Sequence, residues 1–445
     1  MNIARILFVS AAAALLLCSC SGEAGEQDYP EVRIACIGDS ITWGSRLEDR
    51  FSQSYPAVLG DLLGEGFEVR GFGYSARTAS LKGDHPYFEA AKYDTLKMWL
   101  PDVVTIMLGT NDSKVRNWDP EQYHEGLRTI IDDLRKVPSH PRIVLLTPTP
   151  AGDNPYTIRD SVIRSEVIPE LQKVAARRWL DVIDLYTPML AHRDLFPDNV
   201  HPGAEGSALI ASLVRDALVG MGVRPGPRVM FVGDSITDGA WGLKDSRPAS
   251  ERSHYDLNHL YGHGYAFCAI GRLMLDSPGL GIRCYNRGWG GNSLSDIRAR
   301  WSEEVLSVRP SLISLLVGVN DVSAGSRRVD VQAWEASYRA LIDSTLEVLP
   351  GVKFVLCTPF VRNASGFYPD RDDAAVDELA QAVRRIAADY GFPLADFASV
   401  VYSLCDSDAA PDRHYWLWDG IHPTCATHVR LAGEWIDVVY KNNLI

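Results

Sequence analysis

A short apolar run that stops at Gly-Asp-Ser occurs twice, and this repeat restricts the fold more than any other feature of the chain. The first copy runs from Val32 to Gly38 and continues as Asp39-Ser40-Ile41-Thr42-Trp43-Gly44; the second runs from Arg228 to Gly233 and continues as Asp234-Ser235-Ile236-Thr237-Asp238-Gly239. A buried strand that ends on glycine and hands a serine to a helix exposes that hydroxyl at the carboxyl edge of a sheet. Open α/β sheets place their ligands there. The helix N-terminus beyond the serine favours a negative charge formed at that point.

The order of elements repeats as well. Apolar strand-like runs are predicted at Val32–Ile37, Glu68–Phe72, Val103–Leu108, Ile143–Thr147 and Asp181–Asp184. The second series is Val229–Val232, Arg283–Tyr285, Leu312–Val317, Phe354–Cys357 and Leu394–Phe397. Helical spacing of apolar residues predicts helices at 120–137, 161–179, 203–219, 331–348, 373–390 and 426–441. Continuous apolar strands alternating with helices mean a parallel sheet covered on both faces. The chain of 445 residues is long enough for two such units. Residues 30–221 and 228–445 each read as a five-stranded, three-layer α/β/α domain. The Gly- and Pro-rich stretch 222–227 is the linker.

Residues 1–20 read as an export signal. Ile6 to Cys18 form an apolar core too short to span a bilayer, and Leu17-Cys18-Ser19-Cys20 resembles a bacterial lipobox. Cys20 is then the lipidated mature N-terminus, with 21–29 as a tether, and the protein is expected at the periplasmic or cell-surface side of a membrane. A net charge of −13 gives no footing for nucleic acid or for an anionic membrane surface. Cys36 and Cys357 read as buried thiols. Cys405 and Cys425 flank a loop of interest and are the best disulfide candidates in an exported chain.

Four short blocks recur in the same order in each half. Gly-Asp-Ser is the first. The second follows strand two: Gly71-Phe72-Gly73-Tyr74-Ser75-Ala76-Arg77-Thr78 and Asn286-Arg287-Gly288-Trp289-Gly290-Gly291-Asn292-Ser293. The third is Gly109-Thr110-Asn111-Asp112 and Gly318-Val319-Asn320-Asp321. The fourth is Asp198-Asn199-Val200-His201-Pro202 and Asp419-Gly420-Ile421-His422-Pro423. Ester hydrolysis needs a nucleophile, a base, a group that orients the base, and donors for the oxyanion. The blocks supply each part once per half. Ser40 and Ser235 are the candidate nucleophiles, His201 and His422 the bases, and Asp198 and Asp419 the groups that orient them. Asn111 and Asn320 can aim a side-chain amide at the oxyanion, and backbone N–H groups of the serine and of the second block complete the hole.

On these blocks both halves resemble SGNH hydrolases, the GDSL esterase family, over nearly the whole mature chain. The resemblance implies a flavodoxin-like sheet and a Ser-His-Asp mechanism without metal or other cofactor. It also places the oxyanion glycine of the second block at Gly291. The same position in the first half is Ala76, which keeps the N–H but would be strained at positive φ. Gly71 likewise stands where the second half has Asn286.

Trp43, Tyr74 and Arg77 beside the first site, and Trp241, Arg287, Trp289, Trp416 and Trp418 beside the second, offer flat faces and polar groups that suit sugar rings. Neither half shows a long apolar stripe for an acyl chain. The second half resembles carbohydrate acetylesterases of this family through Tyr285-Asn286-Arg287-Gly288 and its third block. The expected activity is therefore removal of O-acetyl or other short acyl groups from an acetylated oligo- or polysaccharide. A lysophospholipase or thioesterase is the alternative within enzymes, and a non-catalytic glycan-binding first half is the alternative outside them. His254, His259 and His263 fit no strong zinc spacing and read as lid or surface residues. The segments 80–94 and 240–265 should wall the two clefts differently.

Overall fold

The computed structural model describes residues 29–239, 260–322, 329–362, 372–407, 409, 412 and 414–445. The expected signal segment, Cys20, residues 21–28 of the tether, Trp241, His254 and His259 lie outside them.

Ten strands form two separate five-stranded parallel sheets. In the first half they are β1 (Val32–Gly38), β2 (Phe67–Gly73), β3 (Val103–Met107), β4 (Arg142–Leu146) and β5 (Asp181–Ile183), in the order β2-β1-β3-β4-β5. The second half repeats that order with β6 (Arg228–Gly233), β7 (Arg283–Gly288), β8 (Leu312–Leu316), β9 (Lys353–Cys357) and β10 (Leu394–Ala395), as β7-β6-β8-β9-β10. The order reverses direction beside β1 and β6, the two strands that end on Gly-Asp-Ser. That is the switch point at which a doubly wound sheet opens a crevice.

Alternation along the strands explains why both faces must be covered. In β1, Ala35 and Ile37 point into one core, while Ile34 and Cys36 point into the other. β3 divides its residues likewise, with Val104 and Ile106 on one side and Val103 and Met107 on the other. Each Val, Ile or Met among them contributes about 1.5–3 kcal/mol by leaving water. The helix Pro120–Leu134 seals one face. Asp119 caps it by accepting the N–H groups of Glu121 and Gln122, and Tyr123, Leu127, Ile130, Ile131 and Leu134 are all buried. The helix Ala204–Gly220 seals the other face through Ile210, Val214 and Leu218.

Three local expectations change. The helix expected at 161–179 contains a π-helical turn at Ile163–Val167 before continuing as Ile168–Arg178. Pro169 has no N–H to give to the preceding turn, so the helix widens there. Strand β10 is cut to two residues because Asp396 caps the helix Phe397–Cys405 by accepting the Ser399 N–H. Cys405 and Cys425 are free thiols, Cys405 half-buried against the core and Cys425 exposed at the start of the helix Cys425–Lys441.

The halves meet through buried charge. Asp102 accepts from Arg228 Nη2 at 2.7 Å and pairs with Arg283, while Arg228 also donates to the Glu31 carbonyl at 2.7 Å. Arg287 donates to the Pro138 carbonyl, and its Nη1 lies 3.1 Å from His140 Nε2. A cavity of about 680 Å³ lies along this seam, lined among others by Asp102, Arg142, Arg283 and Arg287. It includes no member of the four blocks that carries a Ser, His or oxyanion role.

Candidate active sites

Each half assembles one hydrogen-bonded chain from residues far apart in sequence. Ser40 Oγ lies 2.8 Å from His201 Nε2, and His201 Nδ1 lies 2.8 Å from Asp198 Oδ2. In the second half Ser235 Oγ lies 2.9 Å from His422 Nε2, and His422 Nδ1 lies 2.7 Å from Asp419 Oδ2. Each serine is the first residue of a four-residue helical turn, Ser40–Trp43 or Ser235–Asp238. The aspartate just before it caps that turn: Asp39 Oδ1 accepts the Ile41 N–H at 3.0 Å, and Asp234 Oδ1 the Ile236 N–H at 2.9 Å. The Asp of Gly-Asp-Ser therefore shapes the corner that presents the hydroxyl.

The base-bearing loops are also built alike. Asp198 Oδ1 accepts the backbone N–H groups of Val200 and His201, and Asp419 Oδ1 those of Ile421 and His422. One carboxylate thus fixes both the loop and the ring. Burial pushes the Asp198 carboxyl up, but the His201 and Val200 hydrogen bonds outweigh it and hold it down at about 2. Asp419 is likewise held low, against burial, by the ring and backbone of His422. A carboxylate only accepts hydrogen bonds, so the histidine proton sits on Nδ1. The Nε2 lone pair then faces the serine hydroxyl.

The second block turns back towards the serine in both halves. The Tyr74 N–H donates to the Gly38 carbonyl at 3.1 Å, and the Trp289 N–H to the Gly233 carbonyl at 3.0 Å. Ala76 has φ 64° and Gly291 has φ 83°. The alanine therefore occupies a left-handed conformation that costs about 1 kcal/mol relative to glycine. Among the described residues, the N–H groups of Ser40 and Ala76, and of Ser235 and Gly291, donate to no protein acceptor.

In the third block, Gly109 and Gly318 have φ 132° and 141°, and a Cβ there would meet Val167 Cγ1 at 2.6 Å or Pro359 Cγ at 2.8 Å. Only glycine fits. Asn111 Nδ2 donates to Asp39 Oδ2 at 3.3 Å, whereas Asn320 Nδ2 donates to the Asn292 carbonyl at 3.2 Å. Each amide keeps a second N–H beyond that bond.

Several contributors were not singled out from sequence. Asp112 accepts the N–H groups of Ala79 and Ser80 at 3.0 and 2.8 Å, and Asp321 accepts that of Leu294 at 3.1 Å. These carboxylates pin the second block to the third. Burial pushes Asp112 up to about 7 and Asp321 to about 6. The signal was present, since both blocks end in Asn-Asp. Arg46 and Tyr156 gave no such signal. Neither belongs to a repeated block, yet Tyr156 Oη donates to Asp198 Oδ2 at 3.0 Å and Arg46 Nε lies 3.4 Å from the same oxygen. The Tyr156 ring packs edge-on against His201, with centroids 5.3 Å apart.

One of the expected sugar contacts falls elsewhere, and a second is already covered. Arg287 is fully buried and reaches away from the serine into the seam between the halves, because its length lets it satisfy carbonyls on the neighbouring half. It is not a substrate residue. The Trp43 ring is already in contact with two cations, Arg50 and Lys92, at 3.4 and 3.9 Å, so it is no bare platform. Tyr87, within the segment expected to wall the first cleft, is buried and donates to the Phe72 carbonyl at 2.6 Å. Tyr74, Trp289 and Trp418 do lie at the sites: Trp418 is exposed and stacks on His422, with centroids 6.0 Å apart. Among the described residues, no three His, Cys, Asp or Glu side chains converge to hold a metal ion. Of His254, His259 and His263, only His263 is among the described residues, and its backbone N–H donates to the Gly239 carbonyl.

Comparison with known proteins adds lineage to this geometry. The model of the GDSL-like Lipase/Acylhydrolase family matches residues 36–209 and 231–430. An acetylxylan esterase of Xylanibacter ruminicola is 38% identical over 206 residues, 42% of this chain and 43% of that protein. This match spans less than half of the relative's length. An acetylxylan esterase of Geobacillus stearothermophilus is 31% identical over 223 residues, 48% of this chain and 93% of that protein. The crystal structure of an acetylxylan esterase from the same organism aligns with a TM-score of 0.40 at 27% identity, covering 48% of this chain and 94% of that one.

Proposed function

Because this chain belongs, in both halves, to the GDSL-like lipase/acylhydrolase family, we propose that it is a tandem serine esterase that removes acetyl or other short acyl groups from carbohydrate. The observation that carries this reading is the unbroken Ser-His-Asp chain in each half, at 2.7–2.9 Å per link. The names of the relatives support acetylated carbohydrate as the substrate class.

In the first half, His201 Nε2 takes the Ser40 proton as Oγ adds to the ester carbonyl. Asp198, ionised throughout the working range, stabilises the imidazolium that results. The developing oxyanion receives the N–H groups of Ser40 and Ala76 and the second amide N–H of Asn111, all held in place before substrate arrives. His201 returns its proton to the departing sugar oxygen as the acyl C–O bond breaks, which leaves the sugar as a hydroxyl and the acyl group on Ser40. Water then repeats the cycle on the acyl-enzyme and releases acetate. Ser235, His422, Asp419, Gly291 and Asn320 do the same in the second half. There Tyr285 to Gly288 lie on a strand, and Trp418 offers exposed aromatic surface beside the base for a sugar ring, with the half-buried Trp289 at the oxyanion corner.

We propose further that residues 1–20 direct export and that Cys20 carries the lipid that holds the protein to a membrane, through 21–29. Metabolic labelling with a radiolabelled fatty acid should mark the chain and miss Cys20→Ala. The esterase reading is tested by acetate release from a panel of acetylated glycans and aryl acetates. Wild type should release acetate, Ser235→Ala and Ser40→Ala should each lose part of the substrate range, and the double variant should be inactive. Full turnover by the double variant on every substrate would refute it. Comparing short with long p-nitrophenyl esters separates this reading from a lipid esterase, which would prefer the long chain.

A further inference from the structure

The first site carries a cluster of positive charge for which the Ser-His-Asp chemistry has no use. Trp43 lies three positions after Ser40, Tyr74 lies two before Ala76, and their rings are 6.3 Å apart. The Arg50 guanidinium carbon stands 3.4 Å from the Trp43 ring centre and Lys92 Nζ 3.9 Å from it. Arg77 stands 4.5 Å over Tyr74. Three cations are thus gathered on two rings, one at the end of the turn that Ser40 opens and one on the block whose backbone bonds to Gly38. None of them is ion-paired among the described residues. Arg50 Nη1 and Arg77 Nε are buried without a hydrogen-bond partner. Burial pushes the Lys92 ammonium down, and the Arg50 charge pushes it further the same way.

This arrangement is unfavourable on its own. Unpaired buried donors and neighbouring like charges both oppose it. The chain has 57 acidic residues against 44 Lys and Arg, so carboxylates are not scarce. Arg77 also donates to the Pro86 carbonyl at 3.1 Å, but no carboxylate among the described residues balances the three charges; an anion from outside would do so, and forked guanidinium groups suit a carboxylate or sulfate. The second half keeps the same corner with its charge compensated, since Arg300, 6.0 Å from the Trp289 ring centre, pairs with Glu304 at 2.8 Å. It has Asp238 where the first half has Trp43, and Asn292 where the first half has Arg77.

We infer that the first site acts on acyl esters of an anionic sugar, whose carboxylate or sulfate contacts Arg50, Arg77 and Lys92 while the ester lies at Ser40. The inference rests on the esterase reading of this half and names its substrate class.

The test separates the two claims. The full chain with Ser40→Ala and Ser235→Ala binds without turnover. It is titrated calorimetrically with an acetylated neutral xylo-oligosaccharide, an acetylated oligogalacturonide and an acetylated sulfated oligosaccharide. At least one anionic ligand should bind about tenfold or more tightly than the neutral one, which is the scale of one charge-assisted contact. That affinity should fall several-fold as salt is raised, because a half-exposed charge pair is screened. Adding Arg50→Gln and Lys92→Gln should remove the preference. The leading anionic ligand tells uronate from sulfate. Equal binding of all three ligands, or a preference indifferent to salt, overturns the inference; so does a preference that survives the two glutamines in a chain whose thermal melt is unchanged. The salt series needs no folded glutamine variant. Turnover of p-nitrophenyl acetate by Ser235→Ala is read separately, and its absence would refute the esterase reading of this half whatever the binding shows.

Discussion

At the corner after the second strand, the first half has alanine at φ 64° and the second has glycine at φ 83°. The two backbones take the same path, and the alanine accepts the strain. Nearby, the paired asparagines lean in different directions, Asn111 towards the aspartate before the serine and Asn320 towards the oxyanion corner. The aspartate that orients the base also differs in company, since Asp198 is gripped by Tyr156 and Arg46. Around the two corners the charge differs too, cationic in the first half. The comparison teaches that this fold fixes the positions of reacting atoms tightly. The means of holding them, and the surface around them, vary between copies.

The largest effects should come from the serines. In a chain carrying either Ser40→Ala or Ser235→Ala, turnover at the altered site should fall on the order of a thousandfold or more while the other site is spared. Steady-state kinetics on substrates that separate the sites checks this, and equal losses on all substrates would merge the two sites into one.

Next comes the seam. Arg287→Ala removes a fully buried guanidinium and leaves the Pro138 and Glu304 carbonyls without their donor. Urea denaturation should show a loss of about 2–4 kcal/mol. The first half answers this change as well as the second, because its His140 faces the same group.

Tyr156→Phe takes one hydrogen bond from Asp198 and should lower kcat of the first site by about fivefold, one neutral-to-charged bond at a partly exposed place. The second site should not respond. A reciprocal swap at the corner is subtler: Ala76→Gly should gain, and Gly291→Ala lose, about 1 kcal/mol in urea denaturation, because no atom lies within 4 Å of a Cβ added at Gly291 and only the positive φ is at issue.

Stability should also depend on pH. Asp112 is pushed by burial from 3.8 to about 7. Below pH 3.8 folded and unfolded chains both hold its proton. Between 3.8 and about 7 the unfolded chain releases it and the folded chain keeps it, so this group's contribution to stability declines as pH rises and levels off above 7. The stability gap between wild type and Asp112→Asn should therefore narrow over that window. For Asp321→Asn the narrowing should end about one pH unit lower, near 6.

These comparisons also mark what could be read without coordinates. Ser40, His201 and Asp198, with their counterparts, were legible because each belongs to a short block whose residue types are set by the chemistry. Repetition of four blocks in order located every one. The strands were legible because β1, β3, β6 and β8 are buried on both faces and so are largely apolar. Arg287 misled because a long cation in a motif beside a catalytic corner resembles a substrate contact, and nothing local says that another domain lies behind it. Arg46 and Tyr156 were hidden for the opposite reason. Their partner, Asp198, is more than forty positions from Tyr156 and about a hundred and fifty from Arg46, and neither residue recurs in a block. The Cys405 and Cys425 expectation rested on sequence position around a loop, which fixes neither burial nor distance.

Two serine hydroxyls activated separately in one chain are the core of this account. Treatment of the full chain with a serine-directed fluorophosphonate, followed by peptide mapping, tests that most directly. Modification should appear at Ser40 and at Ser235, and each should vanish only with its own alanine variant. A chain modified at one of them alone, at neither, or at a serine outside both Gly-Asp-Ser corners would contradict it.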